Sequence, residues 1–153
     1  MRILIQVTSS SDVSVNNNTI SNINNGYCIF VGFTHDDNEK VVKKMCKKIS
    51  NLRIFKDENG KTNLSILDVK GSILLISQFT LYANCSHGNR PSFIEAMEPN
   101  KANDLYELML NELQDIYNIT TYRGAFGEHM VVNIVNEGPF TVYLDSDIIF
   151  KNK

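Results

Sequence analysis

The sequence predicts an α/β fold in which a mixed β-sheet is layered against two main helices. Three observations predict it: strand-like runs stand near both ends of the chain, two amphipathic helical patterns lie between them, and the middle is rich in extended segments and turns. With 153 residues and 42% hydrophobic content, the chain fits one domain over residues 1–153 that buries roughly 68–70% of its unfolded surface.

The first part of the chain predicts strands and turns. Runs of apolar and β-branched residues predict strands at Ile3–Val7, Val13–Val15 and Tyr27–Phe33. An asparagine-rich stretch from Asn16 to Asn25 separates the second strand from the third. Because asparagine and glycine tolerate positive φ, we expect a solvated loop with hairpin turns there.

A first amphipathic helix is predicted over Asp37–Ser50. Its apolar residues recur at helical spacing, which predicts that Cys46 lies in the core. These residues are Val41, Val42, Met45, Cys46 and Ile49, and the opposite face carries Lys40, Lys43, Lys44, Lys47 and Lys48. Such a lysine face is either solvated or contacts phosphate groups, and the sequence leaves both interpretations open.

The middle of the chain is predicted to be rich in β-structure. Arg53–Asn63 is typical of a strand that leads into a turn at Asp57–Gly60. Two further segments, Ser65–Val69 and Ser72–Thr80, are predicted to be extended.

A second helix and two strands are predicted to complete the fold. The helix begins at Pro99, a residue favoured at the first helical position, and continues to about Tyr117. Met130–Val135 and Phe140–Leu144 are predicted to be the closing strands.

Charge and cysteine content exclude several classes of protein. A net charge of -2 and a pI near 5.9 exclude the broad basic surface of proteins that coat nucleic acid, so a nucleic-acid partner would be held through a small local contact. The three cysteines have no paired spacing, which predicts reduced thiols. The apolar start is too short for a signal peptide and no run approaches ~20 apolar residues. We therefore expect a cytoplasmic protein with no membrane partner.

One segment combines groups that are useful for hydrolysis. Ser77–Ala83 follows the apolar run Ile73–Ile76, so a strand would place a serine, an amide and a threonine at its carboxyl end, where backbone N–H groups can come free. Such N–H groups can stabilise the oxyanion that forms during ester hydrolysis. The alternative is structural, with the serine and threonine capping the end of the strand.

A second segment, Asn136–Thr141, places a Gly-Pro pair between two β-rich stretches. A cis bond at Gly138–Pro139 would cost only about 0.5–1 kcal/mol and would turn two carbonyls to the same side. The alternative is an ordinary turn between strands. If both segments are functional, they predict a pocket built largely of backbone.

These two segments resemble the motifs of the D-aminoacyl-tRNA deacylases, dimeric editing enzymes that hydrolyse D-amino acids from mischarged tRNA. The resemblance extends along nearly the whole chain. Further matching segments are Met1–Gln6, Asn51–Phe55, Gly60–Ser65, Gly88–Phe93 and Phe126–Gly127 followed by Met130.

The resemblance implies the fold and the activity. It implies β layers with two main helices packed on one side, a homodimer, and hydrolysis of the ester between a D-amino acid, and also glycine, and the terminal adenosine of tRNA. The acceptor end of the D-aminoacyl-tRNA is then the partner. No cofactor and no metal are implied.

The resemblance also implies a role for particular residues. Ser77, Gln78, Phe79 and Thr80 would form the catalytic segment, with Thr80 positioning the substrate while the 2′-hydroxyl of the terminal adenosine assists the attack on its own ester. Gly138–Pro139 of one subunit would enter the partner's pocket as a chirality filter. The pocket for the substrate and its adenosine would be lined by Ala102, Phe126, Met130 and Asn136. Lys61, Arg90 and the lysine-rich helix are further candidates for phosphate contacts.

One departure from the family pattern affects the expected filter. The family usually has Gln-Arg-Val near the amino terminus, where the arginine buttresses the Gly-Pro loop, whereas this chain has Gln6-Val7-Thr8. Loss of the cation predicts a looser Gly-Pro loop and weaker D-selectivity. Glu137, where the family commonly has aspartate, is a smaller change.

Three alternatives compete with this interpretation. A conventional hydrolase would pair Cys85 with His87, but no third residue is evident to orient the histidine. A metal site would need ligand spacing that neither His35–Asp37 nor Glu128–His129 provides. The alternative from another functional class is a catalytically weak nucleic-acid-binding or interaction protein that retains the fold.

Overall fold

The computed structural model describes residues 1–150, which form eight strands and three α-helices in the order βββαβββαββα. The strands are β1 (Arg2–Val15), β2 (Asn18–Ile23), β3 (Gly26–Gly32), β4 (Phe55–Lys56), β5 (Thr62–Leu64), β6 (Ser72–Ser77), β7 (Thr121–Arg123) and β8 (Val131–Asp145). The helices are α1 (Glu39–Asn51), α2 (Pro99–Asn111) and α3 (Ser146–Phe150).

Six of the strands form one mixed sheet, as the α/β prediction requires. The order is β2-β1-β3-β6-β7, and β8 pairs with β1 along its other edge. Strand β1 is antiparallel to β2, β3 and β8, while β6 is parallel to both of its neighbours, β3 and β7. Strands β4 and β5 form a separate small hairpin.

The two short strands predicted near the amino terminus are one long strand. The fourteen residues of β1 run from Arg2 to Val15, and the first half pairs with β3 while the second half pairs with β2. The asparagine-rich stretch is therefore not a loop throughout. Asn16 and Asn17 make the expected turn at positive φ, and β2 then pairs with β1 because its backbone groups complete the sheet despite the low strand propensity of asparagine.

The helices lie close to their predicted positions. Helix α1 begins after Asn38, whose side chain accepts from the N–H groups of Lys40 and Val41. Helix α2 starts with Pro99 and continues as a π-helical turn to Ile116, close to the predicted end.

Four segments differ from the sequence prediction. Ser65–Val69 is a turn and not a strand, because the Asp68 carboxylate accepts from both the N–H and the hydroxyl of Ser65, each at 2.8 Å. The predicted strands at the carboxyl end are parts of one strand, β8. The short elements β7 and α3 were not predicted from the sequence.

Buried side chains form two clusters. The larger one combines residues of β1, β3 and β6 with the apolar faces of α1 and α2, and it includes Cys46 as predicted. The smaller one contains Val13, Ile23, Cys28, Leu74 and Ile76, and neither α1 nor α2 contributes a buried residue to it. Within residues 1–150, no helix is both long enough and apolar enough to span a membrane.

Candidate active site

The Ser77–Thr80 segment is a strand end followed by a tight helical turn. Strand β6 ends at Ser77, earlier than the predicted Thr80, and Phe79–Tyr82 forms a 3-10 helix. Its bonds run from Leu81 N–H to the Gln78 carbonyl at 3.2 Å and from Ala83 N–H to the Thr80 carbonyl at 3.0 Å. The sequence pattern missed this turn because its residues are as apolar as those of the strand.

The turn leaves two backbone donors without an internal acceptor. The N–H groups of Phe79 and Thr80 precede the first bond of the 3-10 helix, so neither has a partner within it. The N–H of Gln78 is different, since it donates to the Val31 carbonyl of β3 at 2.7 Å. The Gln78 N–H is therefore engaged within the sheet, and Phe79 and Thr80 are the candidate oxyanion donors.

The side chain of Thr80 is held by its neighbour. The Gln78 amide donates from Nε2 to Thr80 Oγ1. In residues 1–150, no histidine or carboxylate hydrogen-bonds to this hydroxyl. Thr80 thus lacks the base that would make a threonine a nucleophile, which agrees with a positioning role.

A cavity of about 610 Å³ opens beside this turn. Its volume lies within the range of roughly 300–1,000 Å³ that is typical of small-molecule sites. The walls come from the ends of β3 and β6, the start of α2 and the segment 126–130, and the lining is mainly apolar and aromatic. Ser77, Gln78 and Phe79 line the cavity, whereas Thr80 follows them just outside the lining.

Three of the predicted pocket residues lie in the cavity wall: Ala102, Phe126 and Met130. The ring of Phe126 packs against that of Tyr106, with centroids 5.6 Å apart. Tyr106 is itself fixed, because its hydroxyl donates to the Leu75 carbonyl at 2.7 Å. Helix α2 and strand β6 together therefore set the position of this aromatic wall.

Sequence reasoning missed several residues of the wall. A Cβ on Gly32 would lie 2.8 Å from the Gln78 carbonyl oxygen, so glycine lets the turn approach β3 closely. Phe93 contacts Phe79 edge to face, with centroids 5.1 Å apart. Glu98 also lines the cavity, but hydrogen bonds from the N–H groups of Asn100 and Lys101 cap α2 and hold the pKa of Glu98 below its usual value.

Gly138, Pro139 and Asn136 lie apart from this cavity and do not line it within one subunit. They belong to β8, where Gln6 pairs with Thr141 and Thr8 pairs with Asn136, so residues 137–140 face only one residue of β1. We call residues 137–140 the β8 loop. The Gly138–Pro139 bond is cis, Gly138 has φ +118°, and Asn136 to Pro139 are exposed.

The other candidate sites from the sequence are not assembled. His87 contacts the hydroxyl of Ser86 at 2.8 Å through Nδ1, and no bond joins it to Cys85. Burial raises the pKa of the Cys28 and Cys46 thiols to about 12, which makes both unreactive. In the described part of the chain, no three histidine, cysteine, aspartate or glutamate side chains are grouped to hold a metal ion.

The sequence matches relatives over nearly its full length. The family model described as D-Tyr-tRNA(Tyr) deacylase matches residues 4–145. The D-aminoacyl-tRNA deacylase of Thermosipho africanus is 46% identical over 150 residues, covering 98% of this chain and 100% of the relative. The protein of the same name from Clostridioides difficile is 47% identical, with the same coverage.

Two solved structures share the fold over nearly the full chain. The c-Myc DNA Unwinding Element Binding Protein superimposes with a TM-score of 0.90 at 37% identity, covering 95% of this chain and 98% of that one. A probable eukaryotic D-amino acid tRNA deacylase shares the fold, with a TM-score of 0.79 at 16% identity and coverage of 94% and 97%. By its sequence over residues 4–145, this chain belongs to the D-Tyr-tRNA(Tyr) deacylase family.

Proposed function

We propose that the protein hydrolyses the ester that joins a D-amino acid to the terminal adenosine of tRNA. The observation that carries the proposal is the pair of free N–H groups at Phe79 and Thr80, at the edge of a cavity large enough for an aminoacylated nucleoside. Hydrolysis of an ester places negative charge on the carbonyl oxygen, and backbone N–H groups stabilise that charge. Membership of the deacylase family supports the same activity.

The side chains favour a mechanism with little acid–base chemistry from the protein. Thr80 has no base beside it, and its hydroxyl is engaged by Gln78. We infer that the 2′-hydroxyl of the terminal adenosine assists the attack, while Thr80 positions the ester. Ala102, Phe126 and Met130 provide apolar surface for the adenosine, and glycine, which has no side chain to exclude, would also be accepted.

The complete site is proposed to form in a homodimer. The exposed β8 loop does not line the cavity of its own subunit, so a second subunit would bring Gly138–Pro139 to it as the chirality filter, with Asn136 at the loop's base. Both main helices contribute to one buried cluster, which supports the layered arrangement with helices on one side and leaves the β8 loop free to project. A dimer of this kind would work in the cytoplasm, where aminoacyl-tRNA is used.

The test compares three substrates and two matched variants. The purified protein should release amino acid from D-Tyr-tRNA faster than from L-Tyr-tRNA, with Gly-tRNA measured beside them. Phe79→Pro removes one N–H donor at the first position of the 3-10 helix, where proline is tolerated, and should lower kcat by about 10²–10³-fold. Phe79→Ala also removes the ring but keeps the N–H. The difference in kcat between the two variants therefore measures the effect of the N–H donor.

Two outcomes would contradict the proposal. If Phe79→Ala and Phe79→Pro lost equal activity, the aromatic ring and not the N–H would matter. If the protein bound tRNA stably and released none of the three amino acids, it would be the catalytically weak binding protein, which the family relatives do not favour.

A further inference from the structure

The two ends of the β8 loop are held by side-chain hydrogen bonds from β1. At one end the hydroxyl of Thr8 lies between two carbonyl oxygens, that of Val135 at 2.9 Å and that of Ser10, and its single hydrogen is shared between them. At the other end Thr141 Oγ1 donates to the side-chain oxygen of Gln6 at 2.5 Å. The first contact therefore holds Val135, which precedes Asn136 at the base of the loop, and the second holds Thr141, which follows the loop directly.

These contacts matter because the sheet ladder is interrupted between them. Gln6 pairs with Thr141 and Thr8 with Asn136, so four residues of β8 leave the ladder opposite Val7 alone. Val7 is 4% exposed and apolar, and it offers the loop no hydrogen bond from its side chain. The direction in which the loop leaves the sheet thus depends on how its two ends are fixed.

The Thr8 contact joins a buried side chain to an exposed residue. Thr8 is fully buried at 0% exposure, whereas Val135 is 56% exposed, so the fold fixes the hydroxyl to which Val135 is tied. Ser9 Oγ is 3.5 Å from the same carbonyl, a longer and weaker contact, so loss of the Thr8 hydroxyl loosens Val135, which is next to Asn136 at the base of the loop. Thr141 is exposed, so its contact can be removed without disturbing the core.

We propose that the Thr8 hydroxyl and the Gln6–Thr141 bond are specificity-determining positioning groups that set the direction of the β8 loop. This inference rests on the proposed function, in which the loop excludes L-amino acids from the partner's pocket. A loop that is free to tilt admits the L side chain, so the loss appears as added hydrolysis of the L ester. The N–H donors at Phe79 and Thr80 are on a different strand end and remain in place.

The experiment measures kcat/KM on D-Tyr-tRNA and L-Tyr-tRNA. Thr8→Val keeps the shape of the side chain and removes the hydroxyl, and we expect the D-over-L ratio to fall roughly tenfold, mainly through faster L hydrolysis. Thr8→Ser retains the hydroxyl and should restore most of the ratio. Thr121→Val is the matched control, because Thr121 is also buried and donates to a backbone carbonyl, that of Ile119 at 2.9 Å.

A second variant keeps the inference testable if Thr8→Val fails to fold. Thr141→Val removes the bond at the exposed end and should lower the D-over-L ratio in the same direction. A wild-type ratio in both Thr8→Val and Thr141→Val, or in Thr141→Val alone when the first does not fold, would overturn the inference. If the wild-type protein itself does not distinguish D from L, the proposed function fails instead, so the two failures are distinguishable.

Discussion

Arg2 joins three parts of the fold beside the candidate donors. Its Nη1 donates to the Leu81 carbonyl at 2.9 Å and its Nε to Asp145 at 3.2 Å. The guanidinium carbon also lies 4.4 Å from the centroid of the Tyr82 ring. Leu81 and Tyr82 belong to the 3-10 helix that starts with Phe79, so Arg2 fastens this helix to the end of β8.

Replacing Arg2 should therefore slow hydrolysis without altering the selectivity for D over L substrates. We expect Arg2→Met to lower kcat about tenfold, because the turn that presents the Phe79 and Thr80 donors loses its anchor. Arg2→Lys should recover part of the rate, since it keeps the charge but not the forked donor. The D-over-L ratio should stay constant, measured on D-Tyr-tRNA and L-Tyr-tRNA.

A control separates this effect from general destabilisation. Arg123 forms an ion pair with Glu107 at an exposed site, so Arg123→Met removes a comparable charge from another part of the surface. Equal losses of kcat in Arg123→Met and Arg2→Met would contradict the role given to Arg2.

The acid stability of the Arg2 variant gives an independent readout. Burial would raise the pKa of Asp145, but hydrogen bonds from the Asp147 N–H and from Arg2 outweigh it and hold the pKa below its usual value. Because the folded pKa is depressed, this contribution to stability is present above the unfolded pKa of about 3.9 and is lost as pH falls through the folded pKa. Arg2→Met should weaken this acid dependence, as followed by urea unfolding at several pH values.

At single residues, the apolar candidates were easier to place from the sequence than the polar contacts. Phe126 and Met130 line the cavity, and their contact with the adenosine stays a prediction. The hydrogen-bond acceptor of the Gln78 N–H could not be predicted from the sequence, because it depends on the pairing of β3 with β6, which are distant along the chain. The weaker selectivity expected from Val7 stays a prediction, and the contacts of Thr8 show how the loop is held in this chain.

Among the elements, α1 presents the clearest charged surface. Its thirteen residues include five lysines and one glutamate, in a chain whose net charge is -2. All five lysines are exposed, and none forms an ion pair with a carboxylate in residues 1–150. A tRNA substrate is a polyanion, so this face is a candidate for contacts with its phosphates.

Removal of two of these lysines should weaken tRNA binding and its salt dependence. Lys43→Gln with Lys47→Gln should raise KM for D-Tyr-tRNA with little change in kcat. The slope of log KM against log salt should become shallower by roughly 0.7–0.9 for each phosphate contact that is lost. The measurement is a set of steady-state assays at increasing salt concentration.

Two controls make this result specific. Lys56→Gln with Lys70→Gln removes the same charge from exposed sites outside α1 and should leave the slope unchanged. D-tyrosyl-adenosine has no tRNA backbone, so its hydrolysis should be the same in all variants. An unchanged salt slope in the α1 variant would show that its lysines are only solvated.

The elements also show where periodicity succeeds and where it fails. Helices α1 and α2 were predicted within a few residues because each has an apolar stripe at helical spacing, and α2 also begins with a proline. Strand β2 was missed because tertiary pairing with β1, and not its own asparagine-rich sequence, makes it a strand. Strand β7 was missed because three residues are too few to show a pattern.

At the scale of the whole molecule, the two segments that resemble the family motifs lie on different parts of the sheet. Ser77–Thr80 is beside the cavity, while the β8 loop is exposed and does not line that cavity. No interface pattern is evident along the chain, so the homodimer is expected only from the family resemblance. Sharing of the site between two subunits is therefore the property of the assembly that most needs a direct test.

Mixed dimers provide that test. Phe79→Pro impairs the turn and leaves the β8 loop intact, whereas Gly138→Ala impairs the loop, because alanine is strained at φ +118° and its Cβ would lie 3.1 Å from the Phe140 nitrogen. If each site combines the turn of one subunit with the loop of the other, a dimer of the two variants contains one site with both parts intact. Random exchange in an equal mixture should then restore about a quarter of the wild-type sites.

The readout is selective hydrolysis of D-Tyr-tRNA, measured for each variant alone and after the two are mixed under conditions that allow subunits to exchange. Gly138→Ala keeps its turn and should hydrolyse both esters, so a fall in L-Tyr-tRNA hydrolysis to about half of its value before exchange, with a matching rise in the D-over-L ratio, requires the turn and the loop to act from different subunits. If each site instead took both parts from one chain, every site in the mixture would keep one impaired part. Activity would then stay at the average of the two variants however long they exchanged, and the shared site would be excluded.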